Sequence, residues 1–328
     1  MTRMCTILHP GMFTTIQDLG RFGHASRGVT TSGAMDVHAA ILANRLVGNP
    51  DNAPLLEMTL IGGVFHFTAP ATIALTGAIA QFTFQTPSAA PITLSLNRAH
   101  ALAADTTLSI SRTTLSARLY LAIAGGLDIP CILGSRSTNL FARFGGLHGR
   151  PLKSGDSIPL GTPAAPPPRL TTPDALDAFL TARLKTRILR CIPGPQHDNF
   201  HVPDHFWSAG FKVSSRSDRM GLRLEGPSIP APFEGRLPSQ CTPHGAVQIP
   251  PDGSPIILGA DHPTTGGYPV IANVAAVDLP LLGQLAPGDE ITFAKIDHER
   301  ALSLLRQSTA ALNALIPPNP SPKAPPHP

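Results

Sequence analysis

A chain of 328 residues, 42% hydrophobic and only 14% charged, is long enough for two domains that each bury a core. Its net charge of +4 is spread over scattered Lys and Arg, with no basic run and no interleaved aromatics, which speaks against nucleic acid as a partner; no apolar run is long enough to span a membrane. The 36 Pro and 29 Gly favour short strands and many turns over long surface helices.

In chain order, residues 1–10 read as a strand ending at the Pro10-Gly11 turn. A polar, Gly-rich stretch follows, Thr14 to Gly33. A helix is expected over 33–47, with Ser32 as its cap, Met35, Ala39, Leu42 and Leu46 as its apolar stripe, and Gly48 then Pro50 as its stop. From Pro54 to Leu108 short pieces rich in Thr, Ile, Val and Phe predict strands, HFTAPATIALTG and AQFTFQ among them, and ARLYLAIAGG and LKSGDSIPLG close the first half. GTPAAPPPRLTTP, 161–173, is the candidate linker, followed by a short helix carrying Leu176, Phe179, Leu180 and Leu184. The second half begins with the strand TRILRCIP, continues through KVSS, LRLEG, AVQIP, PIILGA and DEITF, and ends in a helix capped by Asp297. The expected domains are therefore 1–165 and 166–315, with a Pro-rich, disordered tail over 316–328. One internal echo joins the halves: Lys153-Ser154-Gly155-Asp156-Ser157-Ile158 is matched by Ala286-Pro287-Gly288-Asp289-Glu290-Ile291. Two related β-barrels account for it, although a Gly-Asp turn before a strand is common.

Several chemistries lack their motif. No GxxxxGK[ST] loop, strand-to-helix GxGxxG, HExxH, GxSxG or AMKM-like biotinylation site is present. The four Cys, at 5, 131, 191 and 241, form no CxxC pair and read as reduced thiols. MTRMCTILHPGM lacks the apolar core of a signal peptide, so a cytoplasmic protein is expected. His197, His201 and His205 recur every four residues, a spacing that suits Zn²⁺ on a helix. Pro193, Pro195 and Pro203 oppose a helix there, so a polar loop without metal is expected.

The polar clusters that remain each have two readings. Thr30 to Asp36 leads into a helix, where free N–H groups attract an anion; equally, Ser32 caps that helix and Asp36 complements its dipole. Arg136, in LGSRST, either clamps a carboxylate or phosphate with paired hydrogen bonds or holds a backbone carbonyl. Ser217, Asp218 and Arg219 lie together in SSRSDRMG, where Asp218 is either a general base or a structural partner of Arg219 or Arg223. Gln196, Gln248, Asp252, Asp261, Thr264, Thr265 and Tyr268 complete the polar inventory. Asp252-Gly253 reads as a hairpin turn, and Gly266-Gly267 allows a ligand to approach the backbone closely.

Taken in order, TTIQDLGRFGHASRGVTTSGAMD (14–36), LANRLVGN (42–49), YLAIAGGLDIPCILGSRST (120–138), PGPQHDNF (193–200), VSSRSDRMGLRLEGP (213–227), GAVQIPPDGSPIILGADHPTTGGYP (245–269) and LPLLGQLAPGDEITF (279–293) resemble one family. It is the family of the 5-oxoprolinase C subunit and the biotin-dependent carboxyltransferases, also labelled allophanate hydrolase subunit 2. The resemblance spans roughly residues 5–300. It implies a mainly β fold with a few helices, arranged as two cyclophilin-like β-barrel domains. It implies partners, the A and B subunits of 5-oxoprolinase, and a joint reaction in which ATP hydrolysis drives the opening of 5-oxoproline to L-glutamate. ATP, with Mg²⁺, is then the cofactor, at a site this sequence does not locate. A related region of urea carboxylase carries the alternative, transfer of a carboxyl group to urea or another small amide from biotin carried on another protein. A similar sporulation-kinase inhibitor antagonist supplies a further alternative, a non-catalytic regulator. No amidase-type Ser-Ser-Lys pattern supports the allophanate hydrolase label. His262-Pro263 departs from the more basic or polar family pattern, and the helix near 173–184 and the tail look peculiar to this chain.

On this resemblance the candidate catalytic residues are Asp218 and Asp261, handling protons. The substrate-binding candidates are Ser32, Asp36, Arg136, Gln196, Ser217, Arg219, Gln248, Thr265 and Tyr268. Arg136 and Arg219 are expected to hold anionic groups, and Gln196, Gln248 and Tyr268 to read the amide.

Overall fold

The computed structural model describes residues 2–87, 90–164, 166–168, 173–232 and 237–319. The first half is organised by two long antiparallel strands, Ala71–Gln85 and Thr106–Ile123. Both carry Thr, Ile and aromatic residues, which sit well on a pleated, half-buried surface. Thr106–Ile123 is long enough to take two further partners in tandem, Val64–Phe67 beside its start and Leu55–Thr59 beside its end. Thr14–Gln17 extends the sheet beyond Leu55–Thr59, and Met4–His9 then Ser157–Pro159 extend it beyond Val64–Phe67. Among the described residues the resulting sheet has nine strands and does not close on itself. It curls around Ile7, Ile16, Phe65, Phe67, Phe82 and Leu119.

The second half is a closed seven-stranded barrel in the order Ile188–Pro193, Val270–Val274, Ala246–Gln248, Ile256–Leu258, Gly221–Glu225, Gly210–Val213 and Glu290–Lys295. All its pairings are antiparallel except the closing one, where Ile188–Pro193 runs parallel to Glu290–Lys295. Closure removes exposed sheet edges. A separate ribbon, Gln240–Cys241 with Thr265–Gly266, stands beside the barrel.

Among the described residues five α-helices accompany these sheets: α1 Val37–Leu46, α2 Pro173–Leu184, α3 Pro203–Ser208, α4 Leu279–Leu282 and α5 His298–Leu315. Asp297 caps α5 as expected, accepting from Arg300 N–H at 2.7 Å. For α1 the cap moves. Ser32 (φ 55°) and Gly33 (φ 88°) are left-handed and cannot belong to a helix. Asp36 is the cap instead, with Oδ1 accepting from Ala39 N–H at 3.0 Å. Of the predicted stripe, Ala39, Leu42 and Leu46 pack on the first half beside Tyr120, together with Leu176 and Leu180 of α2. Met35, just before the helix, belongs to the other core: it packs with Ile257 and Leu282, and its Sδ accepts from Ala260 N–H at 3.4 Å. One residue thus pins the α1 entrance into the barrel.

The Gly-Asp echo is one turn built twice. Gly155 N–H donates to Ile7 O and Ile7 N–H to Asp156 O, both at 2.8 Å; Gly288 N–H donates to Val213 O at 2.8 Å and Val213 N–H to Asp289 O at 2.9 Å. Both glycines are left-handed (φ 89° and 93°), and each Asp side chain accepts the N–H three residues earlier. The expected tail lies outside the described residues from 320 onward, as do 165 and 169–172 of the expected linker. The first tail residues are tied down: Arg45 donates to Ile316 O at 2.7 Å, and Asn319 Nδ2 to Asn49 O at 2.9 Å. All four cysteines are free, Cys5 and Cys191 buried and Cys131 and Cys241 exposed. Among the described residues no helix is long and apolar enough to cross a membrane.

Candidate functional site

The halves meet across a buried cluster of charges. Arg219, 3% exposed, leads from the second half into the seam. It donates from Nε to Asp261 Oδ2 at 2.8 Å, from Nη2 to Asp261 Oδ1 at 3.1 Å and to Gly33 O at 2.7 Å, and from Nη1 to Glu57 Oε1 at 2.5 Å. Glu57 Oε2 in turn accepts from Tyr120 OH and Met35 N–H, each at 2.8 Å. Arg118 brings a second cation, its Nε 3.7 Å from Glu57 Oε1 and its Nη1 donating to Gly283 O at 2.8 Å. Two guanidiniums thus face two carboxylates, a balance that lets the cluster be buried at all. Burial acts against the charge of Arg219, but Asp261 and Glu57 outweigh it and raise its pKa above the ordinary value. Burial, then Glu57 and Asp36, push the Tyr120 hydroxyl well above the usual phenol range, so it stays a neutral donor.

Above this floor a cleft of about 490 Å³ opens between the halves, walled by Met12 and Phe141 from the first and Ser217 and Met220 from the second. A second cleft, of about 370 Å³, lies on the barrel beside the Gln240–Cys241 ribbon, with Gln248, Thr265, Gly266, Gly267 and Tyr268 in its walls. Asp218 and Met220 line both clefts and form the ridge between them. A tight turn fixes Asp218: its Oδ1 accepts from Met220 N–H at 2.8 Å and Gly221 N–H at 3.2 Å. Its Oδ2 has no hydrogen-bond partner among the described residues, and the side chain is exposed. A carboxylate with one oxygen anchored and the other free suits proton transfer or orientation of a polar ligand.

The sequence-selected residues separate on this geometry. Asp218, Ser217, Arg219 and Asp261 meet at the first cleft, and Asp218, Gln248, Thr265 and Tyr268 at the second. Asp261 has both oxygens taken by Arg219, which leaves Asp218 as the carboxylate with a free oxygen. Arg219, expected as an anion holder, spends its guanidinium on Asp261, Glu57 and Gly33, so its role in this geometry is to join the halves. Ser217 Oγ accepts from Arg223 N–H at 3.0 Å. Ser32, Asp36, Arg136 and Gln196 line neither cleft. Ser32 donates its N–H to Ala260 O at 3.1 Å, and Asp36 is taken up by the α1 cap and by Gln284 Nε2 at 2.9 Å. Arg136 Nε donates to Ile129 O at 3.0 Å, the carbonyl-holding alternative. Gln196 Oε1 accepts from Val270 N–H at 2.9 Å.

Two acids escaped the sequence reading. Glu57 is the one charged residue of the strand LLEMT, and that isolation was its one signal. Asp18, 2% exposed, organises the 135–137 loop: its Oδ1 accepts from Ser135 Oγ at 2.7 Å and from Ser137 Oγ, and its Oδ2 from Arg136 N–H at 2.6 Å. Its signal was TIQDLG before a Gly-rich turn. Behind Asp261, His244 stacks on His262 with centroids 6.2 Å apart, and burial, then His262 and Arg219, hold the His244 pKa down to about 4. In the histidine triplet, His197 Nδ1 bonds Asp198 at 2.7 Å and its Nε2 accepts from Trp207 Nε1–H at 3.1 Å. Among the described residues no group of three or more His, Cys, Asp or Glu is arranged to hold a metal ion. At the first cleft Arg219 offers no free donor to a nucleotide phosphate, since its guanidinium is spent on Asp261, Glu57 and Gly33 O.

Comparison with known proteins bears on these clefts. The chain is 37% identical to the 5-oxoprolinase C subunit of Escherichia coli K12, over 91% of this chain and 93% of that protein. It is 35% identical to the urea amidolyase of Lachancea kluyveri over 94% of this chain, which spans only 18% of that larger protein. The crystal structure of the Kluyveromyces lactis urea amidolyase superposes with a TM-score of 0.84 at 30% identity, covering 95% of this chain and 20% of that one. The model of the carboxyltransferase domain, subdomains A and B, matches residues 27–295. By sequence and by fold, the chain belongs to the family of carboxyltransferase domains, subdomains A and B.

Proposed function

We propose that this chain is the C-type subunit of an ATP-dependent 5-oxoprolinase, working in the cytoplasm with A and B subunits to open 5-oxoproline to L-glutamate. The observation that carries this reading is 37% identity over 91% of this chain and 93% of the E. coli subunit, against coverage of less than a fifth of the urea amidolyases it matches. The geometry is consistent with a share in amide chemistry. A lactam carbonyl is a poor electrophile, and its opening needs a group that reads the amide and a carboxylate that orients or deprotonates the attacking water. On this chain Gln248 and Asp218 stand in one cleft and offer those two functions. No step through ATP is assigned to these residues, and the nucleotide site is expected between subunits or on a partner.

The second reading is a carboxyltransferase that receives the carboxyl group from biotin carried on another protein and passes it to urea or a similar amide. It is favoured by the matching family and by the urea amidolyase fold at a TM-score of 0.84. The two separate by product. The chain is mixed with its cognate A and B subunits, and glutamate formed from 5-oxoproline is measured with and without ATP. In parallel it is mixed with a biotin carboxylase, a biotinylated carrier and urea. ATP-dependent glutamate is the expected result. Its absence from a fully assembled complex, with urea carboxylated in the parallel mixture, overturns the first reading in favour of the second.

A further inference from the structure

Gln248 ends the strand Ala246–Gln248, whose register against Val270–Val274 shifts between Val247 and Gln248. The extra residue, Ile271, lies on the partner strand, so Gln248 keeps the alternation of its own strand. Val247 points into the barrel core, so Gln248 faces the other way, into the wall of the second cleft. The residue is 6% exposed, and its Nε2 is buried without a hydrogen-bond partner. No hydrogen bond ties either end of its carboxamide to another described residue. Buried amides are normally satisfied, so a bare one in a cleft wall marks a place completed by something else. The surroundings keep the amide clear: a Cβ on Gly266 would lie 2.7 Å from Gln248 Nε2, so any side chain there would displace it. Arg223, exposed, also lines this cleft and brings a cation to it.

We infer that the second cleft is a recognition site for a ring carrying a cis-amide edge, H–N–C=O, which pairs with the Gln248 carboxamide through two parallel hydrogen bonds. A primary carboxamide presents a donor and an acceptor side by side, and a half-turn about its last torsion exchanges them. The complement must offer an acceptor and a donor on the same edge. Lactams and cyclic ureas do so; a trans peptide group presents them on opposite sides, and a carboxylate offers acceptors only. A flat ring also suits a wall whose Gly266 and Gly267 carry no side chains. Arg223 would meet a carboxylate substituent on such a ring. The inference deepens the proposed function and rests on it for the natural ligand, but the binding step belongs to this chain alone.

The test uses the isolated full-length chain, titrated with 5-oxoproline, 2-pyrrolidinone, imidazolidin-2-one and N-methyl-2-pyrrolidinone. Binding is read from the shifts of the glutamine side-chain amide resonances in ¹H–¹⁵N NMR spectra, with Gln248 assigned by its loss in a Gln248→Met variant. The ring amides are expected to move the Gln248 resonances. N-methylation, which removes the donor, and Gln248→Met, which removes the edge, should each weaken binding on the order of tenfold or more, with the fold checked by circular dichroism. A Gly266→Ala variant, which crowds the amide but keeps it, should weaken binding in the same direction. A lactam preferred over the cyclic urea ties the cleft to a lactam substrate, and the reverse ties it to a ureido ring; both support the site. Equal binding of the N-methyl compound, equal binding by Gln248→Met, or no response to any ring overturns it. Because no partner subunit is present, that failure is independent of whether the assembled complex forms glutamate.

Discussion

At the scale of single residues, Arg219 is the part on which most else depends. Removing one member of a buried charge cluster leaves its partners uncompensated and costs about 3–5 kcal/mol. Arg219→Leu is therefore expected to lower the urea unfolding midpoint by an equivalent amount, because Glu57 and Asp261 would both lose their main partner. Arg219→Lys should fall between, since a point charge cannot pair with both carboxylates and with Gly33 O. A loss below about 1 kcal/mol for the Leu variant would show that the cluster does not hold the seam. How legible these residues were depended on their surroundings. Asp218, Gln248 and Tyr268 stood out as polar groups in Gly-rich stretches, and the structure brings them to one cleft. Arg219 was equally visible, but nothing local showed that its partner Glu57 lies 162 positions away in sequence. Arg136 and Asp36 carried the same kind of signal and are spent on a carbonyl and on a helix cap. Residue type and spacing alone cannot separate a free guanidinium from one that is already paired.

Among the elements, α1 shows where local patterns mislead and where they hold. Ser32 and Asp36 are both good caps by type, and the choice between them is made by backbone conformation: the left-handed Ser32-Gly33 pair turns the chain before the helix begins. Asp36→Ala is expected to cost about 1–2 kcal/mol, from the lost cap and its further bond to Gln284. Ser32→Ala should cost less, because Ser32 acts through its backbone N–H on Ala260 O. Thermal melts of the two variants check this, and a larger loss at Ser32 would contradict it. Strands were legible as β-branched runs, and the doubled Gly-Asp turn as a repeated string of letters. The closing of the second barrel was not, since it rests on a parallel pairing between strands at opposite ends of that half. The first sheet's failure to close was hidden for the same reason: it is decided by which distant strands find each other.

For the whole molecule, acid should loosen the structure through histidines buried in their neutral form. Burial, then Arg183, holds His38 down to about 4, and burial, then His262 and Arg219, does the same to His244, from an ordinary 6.5. Their folded pKa values lie below the unfolded ones, so below 6.5 the unfolded chain takes up protons that the folded chain refuses. Their contribution is fully present above pH 6.5 and is lost as pH falls toward 4. By pH 5 the loss is roughly 2 kcal/mol for each histidine. Urea unfolding at pH 7 and pH 5 should show it, and His244→Gln should flatten part of the slope; an unchanged midpoint would contradict it. The family was legible at this scale because seven motifs, each weak alone, keep one order along most of the chain. What that order leaves open is which groups face an amide. The proposed chemistry centres on the ridge that both clefts share, and on the free oxygen of Asp218 at its crest. The direct measurement is turnover of 5-oxoproline by the assembled complex carrying Asp218→Asn, at saturating ATP. A kcat lowered on the order of a hundredfold is expected, within the range for loss of a general base, with assembly and melting temperature unchanged. A kcat within twofold of the unaltered complex would contradict a proton-handling role for Asp218.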